Sequence, residues 1–262
     1  MNIYLREMQA ALRSTFVWSL SLAVATFFMF AVYPAFSGNA AAIGDALKNY
    51  PLMIQLAFGL YLDQIGSVNG FYSFIVTFLT LTGSVQAMTL GLTALSKETT
   101  RRTADFLLTK PVSRLSVSVA KLLAALSCVT LTSGVYVLTA FLCASAYAPF
   151  AVRPFFLMSL SFFLVQVMFL ALGFLASASV SRIRAALPAA LSAVSAFFII
   201  GAVSAMLERQ VLYFLSPFKY FDTYHILMTA SYRPAFVVAW ALVVALSVFA
   251  GMVVYIRRDV RA

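Results

Sequence analysis

The chain has 262 residues, of which 63% are hydrophobic and only 10% charged, with a mean hydropathy of +0.97. Soluble globular domains hold about 45–50% apolar and about 25% charged residues, so a water-soluble domain is excluded and an integral membrane protein is indicated. The net charge of +10 does not mark a nucleic-acid binder, because the cations flank apolar runs instead of gathering on one face; they read as topology signals and headgroup contacts.

Residues 1–14 set Arg6, Glu7 and Arg13 among Ile3, Leu5, Met8, Ala11 and Leu12. This is a short amphipathic pattern suited to an amino-terminal interfacial helix, or a plain basic flank. The first span is expected over residues 15–36, since about 20 apolar residues cross a bilayer. Ala35-Phe36-Ser37 loosely fits a signal cleavage site. The apolar run is longer than the roughly 7–15 residues of a signal core, so it reads as a retained span. Residues 37–70 form a long loop with turn-rich ends at Ser37-Gly38-Asn39 and Gly66–Gly70. Between them, Pro51–Ile65 is apolar, short for a span, and contains Asp63. It reads as an interfacial or re-entrant helix, with a packed extra span as the alternative.

The second span is expected over residues 71–95. Thr77, Thr80, Thr82, Gly83, Ser84, Gln86, Thr89 and Thr93 interrupt its apolar positions. Small and hydroxylated residues let helices approach closely and hydrogen-bond across the contact. Gln86 should face protein or a cavity, because an amide cannot face lipid unsatisfied.

Ser96–Lys121 carries six of the 18 basic residues: Lys97, Arg101, Arg102, Lys110, Arg114 and Lys121. It reads as helix, break, helix. Glu98 with Arg102 and Arg101 with Asp105 are opposite charges four residues apart, which suit a helix surface. Phe106, Leu107 and Leu108 follow as an apolar cluster. Pro111 disfavours helical angles at Lys110, so the first helix should stop there. Ser113 can cap the next. A helix end carrying charge and Phe-Leu-Leu, held between two spans, is a candidate docking surface; an ordinary basic loop at the headgroups is the plainer alternative.

The third span is expected over residues 122–147, continuing from the helix that Ser113 caps. Cys128 and Cys143 both fall in it, about 22 Å apart on one helix, too far for a mutual disulfide. The fourth span is expected over residues 155–180, with Gln166 at its centre and a small-residue face from Gly173 to Ser181. The fifth is expected over 185–206, with Pro188 in its first turn, where proline is tolerated. Residues 207–233 crowd seven aromatics, Tyr213 to Tyr232, into a loop. Tyrosine favours the headgroup level, so short helices on the outer surface are expected. His225, the only histidine, is a candidate proton site or a hydrogen-bonded surface residue. The last span is expected over 234–256, with Pro234 at its first helical position.

Six spans leave seven flanks. The alternate flanks that include both termini and Ser96–Lys121 hold 13 Lys and Arg; the others hold 5. The positive-inside rule places the first set in the cytoplasm. A seventh span at Pro51–Ile65 would spoil that bias. The whole chain, 1–262, reads as one transmembrane domain. No G-x-x-x-x-G-K-[ST] phosphate loop occurs in the sequence, and no cluster of His, Cys and carboxylates has metal-ligand spacing. All eight acidic residues fall in flanks, unlike ion-coupled carriers, which keep ionisable groups within the membrane.

The Ser96–Lys121 segment resembles the loop of type-2 ABC transporter permeases. That pattern runs acidic residue, Gly-Thr, Leu-Leu, a spacer, Pro-Val-Ser-Arg, then Gly-Lys-Leu. The matching residues are Glu98, Thr103, Asp105-Phe106-Leu107-Leu108, Pro111-Val112-Ser113-Arg114 and Lys121-Leu122-Leu123. Arg102 and Ala120 stand where the family has glycine.

The resemblance implies an all-α polytopic permease of an ABC exporter with a cytoplasmic coupling helix between spans two and three. It also implies two copies of a separate ABC ATPase subunit, which would bind ATP and Mg, and a second permease subunit, identical or related. The setting it implies is a bacterial cell membrane. Within it, Glu98, Arg101, Thr103, Asp105, Phe106, Leu107, Leu108, Pro111 and Arg114 would couple to the ATPase. Hydroxyl and amide faces of spans two and four, including Gln86 and Gln166, are a candidate path for a hydrophobic or amphipathic cargo. Two alternatives stay open: a polytopic enzyme acting on lipids or isoprenoids, whose only candidate groups are Asp222 and His225, and a scaffold or sensor without flux.

Overall fold

The computed structural model describes residues 3–48, 61, 64, 66–101, 113–180, 183, 185–206 and 213–257. Among these residues the chain is helical and contains no strand. The helices are α1 (Ile3–Ala31), α2 (Tyr33–Gly38), α3 (Ala40–Lys48), α4 (Val68–Arg101), α5 (Arg114–Tyr147), α6 (Val152–Ser179), α7 (Ala186–Met206), α8 (Thr223–Thr229) and α9 (Pro234–Arg257), with a 3-10 turn at Pro217–Lys219. Six stretches are long and apolar enough to cross a membrane: Ile3–Gly38, Val68–Ser96, Arg114–Tyr147, Val152–Ser179, Ala186–Ser204 and Pro234–Arg257. The protein is an all-α integral membrane protein.

Two readings from the sequence change. Residues 3–14 form no separate interfacial helix; they are the first turns of α1. No glycine or proline interrupts the chain from Ile3 to Phe30, so nothing separates an amphipathic segment from the span. The helix breaks only at Val32, ahead of Pro34, whose ring and missing N–H cannot continue a helix. Ser37-Gly38-Asn39 is likewise no open turn: Ser37 and Gly38 complete α2, and only Asn39 separates it from α3. Pro51–Ile65 lies almost wholly outside the described residues.

Helix ends elsewhere follow the local chemistry. The Ser113 side chain accepts from Ser116 N at 3.2 Å and caps α5, as expected. Pro234 opens α9 at a position where its missing N–H costs nothing. Asp222 caps α8 by accepting from Tyr224 N at 3.1 Å.

The centre of the bundle is α4 against α6. In their apolar stretches 67% and 61% of residues are buried, against 11% in α9, which therefore sits at the periphery. The two central helices meet at glycines. A Cβ added to Gly91 would lie 2.4 Å from Leu170 O, and one added to Gly173 would lie 2.7 Å from Met88 O. Only residues without a side chain permit that approach. Tyr72 stacks on Phe155 with ring centroids 4.3 Å apart and shares a 2.8 Å hydrogen bond with Ser159.

Several polar contacts were expected to cross between helices. The threonines of α4 mostly do not. Thr77, Thr82, Thr89 and Thr93 donate to carbonyls of their own helix, the usual way a hydroxyl is satisfied in lipid. Cys128 and Cys143 are free thiols.

Candidate functional site

Six crossings sort the chain ends and loops into two groups. At one end meet the start of α1, the end of α4, the start of α5 and the end of α9. Lys121, on α5 and only 3% exposed, is the joint. Its Nζ lies 3.3 Å from Glu7 Oε1 on α1 and donates to Ala94 O on α4 at 3.0 Å. Arg114 Nη1 donates to Ile256 O in the last turn of α9 at 3.3 Å, where a cation also meets the negative end of the helix dipole. Tyr4 and Ser127 share a 3.0 Å hydrogen bond between α1 and α5. The four helices that border the Ser96–Lys121 segment are thus braced to one another.

Within that segment, Glu98 and Arg101 belong to the last turns of α4, which runs unbroken from Val68 to Arg101. At about 1.5 Å per residue its 34 residues extend about 51 Å, well beyond a hydrocarbon core of about 30 Å. Thr103, Asp105, Phe106, Leu107, Leu108 and Pro111 lie outside the described residues. The sequence pattern marked Lys121 and Arg114. It gave no sign of Glu7, which is 26% exposed at its side chain and reads in isolation as a flank charge.

The brace should be measurable. Removing one member of a buried ion pair costs up to about 3–5 kcal/mol, and partial exposure of Glu7 reduces that. Lys121→Met is expected to lower stability by about 2 kcal/mol, read from unfolding of the purified protein in detergent. The double change with Glu7→Leu should recover part of the loss, because no charge is then left unpaired.

Gln86 and Gln166 lie in the interior of the single chain, 2% and 0% exposed. Gln86 Nε2 donates to Thr132 Oγ1 at 2.9 Å, and the Ser133 hydroxyl donates to Gln166 Oε1 at 2.6 Å. The Ser19 hydroxyl donates to the same Thr132 oxygen at 3.3 Å. These contacts make a polar layer that ties α1, α4, α5 and α6. Gln86 Oε1 and Gln166 Nε2 have no protein partner in it.

A cleft lies at the opposite end, with about 600 Å3 of empty space, part of it open to the surroundings. Gln86 and Gln166 do not line it. The hydroxyl face of the second and fourth spans does, through Thr77 and Thr80 of α4 and Ser161 of α6. Val76, Val165 and Phe198 supply apolar wall. The 3-10 turn and the start of α8 close it with Phe218, Lys219, Asp222 and Thr223. Tyr61 shares a 2.8 Å hydrogen bond with Thr223, and burial pushes its phenol pKa up. Tyr232 donates to Leu157 O at 2.6 Å and Trp240 Nε1 to Leu164 O at 2.8 Å, fixing this end to α6.

Asp222 and His225 form no catalytic pair. The Asp222 carboxylate caps α8 and sits 3.9 Å from Arg233 Nη2. No hydrogen bond joins it to His225 among the described residues. Nor do the described residues contain a group of His, Cys, Asp or Glu that could hold a metal.

The family model of the ABC-2 family transporter proteins matches residues 1–260, nearly the whole chain. The chain belongs to that family. It is a membrane-spanning permease subunit of an ABC transporter, and the family typically works with an ABC ATPase. A search of the curated proteins finds no match. Membership fits a sequence that has no nucleotide-binding loop of its own.

Proposed function

We propose that this permease exports an amphipathic cargo by alternating access, driven by two copies of a separate ABC ATPase that bind ATP and Mg. A second permease subunit, a copy or a relative, completes the path. The ATPase docks on Ser96–Lys121, with Phe106, Leu107 and Leu108 as the buried contacts. Glu98, Arg101, Thr103 and Asp105 form the polar rim, and Pro111 and Arg114 set the elbow into α5. That end faces the cytoplasm, in keeping with its excess of basic flank residues.

The observation that carries the reading is the joint at Lys121. A push on the end of α4 or the start of α5 reaches α1 through Glu7 and α9 through Arg114. Helices linked by charge-assisted contacts move as one body more readily than helices linked by dispersion alone. A displacement at one loop therefore tilts several spans, and the far-end cleft with them.

Purification from its own membranes in mild detergent tests this. An ABC ATPase should co-purify at one copy per permease, and its ATP hydrolysis should respond to cargo. A cysteine placed at Thr109 should be shielded from a membrane-impermeant thiol reagent added outside intact cells. Absence of any nucleotide-hydrolysing partner, or ready labelling from outside, overturns the proposal.

A further inference from the structure

The cleft end of the bundle holds a half-buried cation that the coupling scheme does not use. Lys219 ends the 3-10 turn Pro217–Lys219. Two contacts press that turn onto α7. The Ser216 hydroxyl donates to Phe197 O at 2.8 Å. Gly201 makes room beside it, since a Cβ there would stand 2.6 Å from Ser216 Oγ and 3.6 Å from Lys219 Cγ. The lysine is thus aimed into the cleft by a pinned backbone, and its stem packs along α7.

Among the described residues, Asp222 is the one acidic group beside it, and that carboxylate is shared with other partners. Asp222 lines the same cleft, but one carboxylate oxygen caps α8 and the other faces Arg233. The Lys219 backbone N–H donates to Ser216 O at 3.0 Å, but its ammonium makes no hydrogen bond or ion pair among the described residues. Burial pushes its pKa below the usual lysine value, with Asp222 opposing the shift. An ammonium in that position is stabilised by any anion that shares its burial. Hydroxyls of Thr80 and Ser161 and the apolar wall of Val76, Val165 and Phe198 complete a site with one charged pole and one greasy flank.

We propose that this cleft binds an amphiphile with an anionic phosphate or carboxylate head, the head on Lys219 and the chain along Val76, Val165 and Phe198. The inference deepens the transport reading by naming the cargo's head chemistry, and it rests on that reading only for the direction of movement. Binding itself needs no ATPase, so it is tested on the isolated permease.

The test is native mass spectrometry of the purified full chain in a neutral maltoside detergent, titrated with dodecyl phosphate, inorganic phosphate and dodecyltrimethylammonium. Dodecyl phosphate should bind saturably and far more tightly than the other two. A hydrogen-bonded charge contributes enough that Lys219→Met should weaken binding about tenfold or more. Lys219→Arg, which keeps the cation, should stay within about threefold of wild type. Equal binding by Lys219→Met overturns the proposal. So does inorganic phosphate binding as tightly, which would mark a bare anion site, or the cationic amphiphile binding as tightly, which would mark a greasy slot. The three-ligand comparison on the unaltered chain stands even if Lys219→Met does not fold. Failure here with an ATPase still co-purifying would refute the head chemistry and leave the transport reading intact.

Discussion

Replacing Phe106 and Leu107 together with aspartate should abolish recovery of an ABC ATPase with the permease while leaving the bundle folded. The two side chains sit in the segment between the end of α4 and the start of α5, past the last residue of the second membrane stretch, Ser96. By sequence they fall in a flank rich in charge rather than in an apolar run, so two carboxylates there should not put charge in lipid. At a docking surface they do two things. They remove apolar area worth about 1.5–3 kcal/mol per side chain, and they put unpaired charge where the partner expects none. Two central positions of this kind cost about 2 kcal/mol or more each, which weakens association by about a thousandfold or more. Stoichiometric co-purification should become undetectable. Melting of the purified variant in detergent should match wild type, and Lys219→Met at the other end should not affect ATPase recovery. If the ATPase still co-purifies at full stoichiometry, the coupling surface lies elsewhere.

The spans were legible because lipid leaves no choice. Every backbone polar group in hydrocarbon must be satisfied within its own segment, so a long apolar run is a helix. The helix expected to start after Ser113 and run on through the third span is the observed α5, one unbroken helix from Arg114 to Tyr147. Over residues 3–14, amphipathic patterning suggested a change of direction, but direction is set by breakers, and none occurs before Val32.

The site was legible only in part, and the missing part is pairing over distance. Lys121 could be picked out by its place in a pattern. Its partner Glu7 could not, because nothing local says that the start of α1 returns to the start of α5. Gln86 and Gln166 had to face inward, and they do. Whether inward means a path or a core depends on what packs around them. Thr132 and Ser133 of α5 meet them, which puts both amides in a closed layer in this conformation. Nothing in the sequence singles out Lys219 from the other flank cations. Its burial depends on Gly201 and Ser216 touching across a loop that composition cannot fold.

Gly91→Ala should lower the stability of the bundle by about 3 kcal/mol, and Gly134→Ala should not lower it at all. The contrast isolates space from backbone entropy, since both glycines lie inside long helices. In a helix, alanine is favoured over glycine by roughly 0.5–1 kcal/mol. At Gly134 nothing lies within 4 Å of an added Cβ, so that gain should appear. At Gly91 the added carbon would stand 2.4 Å from Leu170 O, 2.8 Å from Phe174 N and 2.9 Å from Gly173 C. All three are main-chain atoms of α6, which cannot rotate aside as a side chain can. The helices must separate by several tenths of an ångström, and a gap of 0.5–1 Å forfeits about a quarter to a half of each dispersion contact across it. Because α4 and α6 are the most buried pair, that loss spreads along the whole contact. Midpoints of detergent-titrated unfolding for the two variants give the answer directly. An unchanged midpoint for Gly91→Ala would mean that the two central helices are not held at backbone contact. The bundle would then have no rigid spine against which the braced end could tilt.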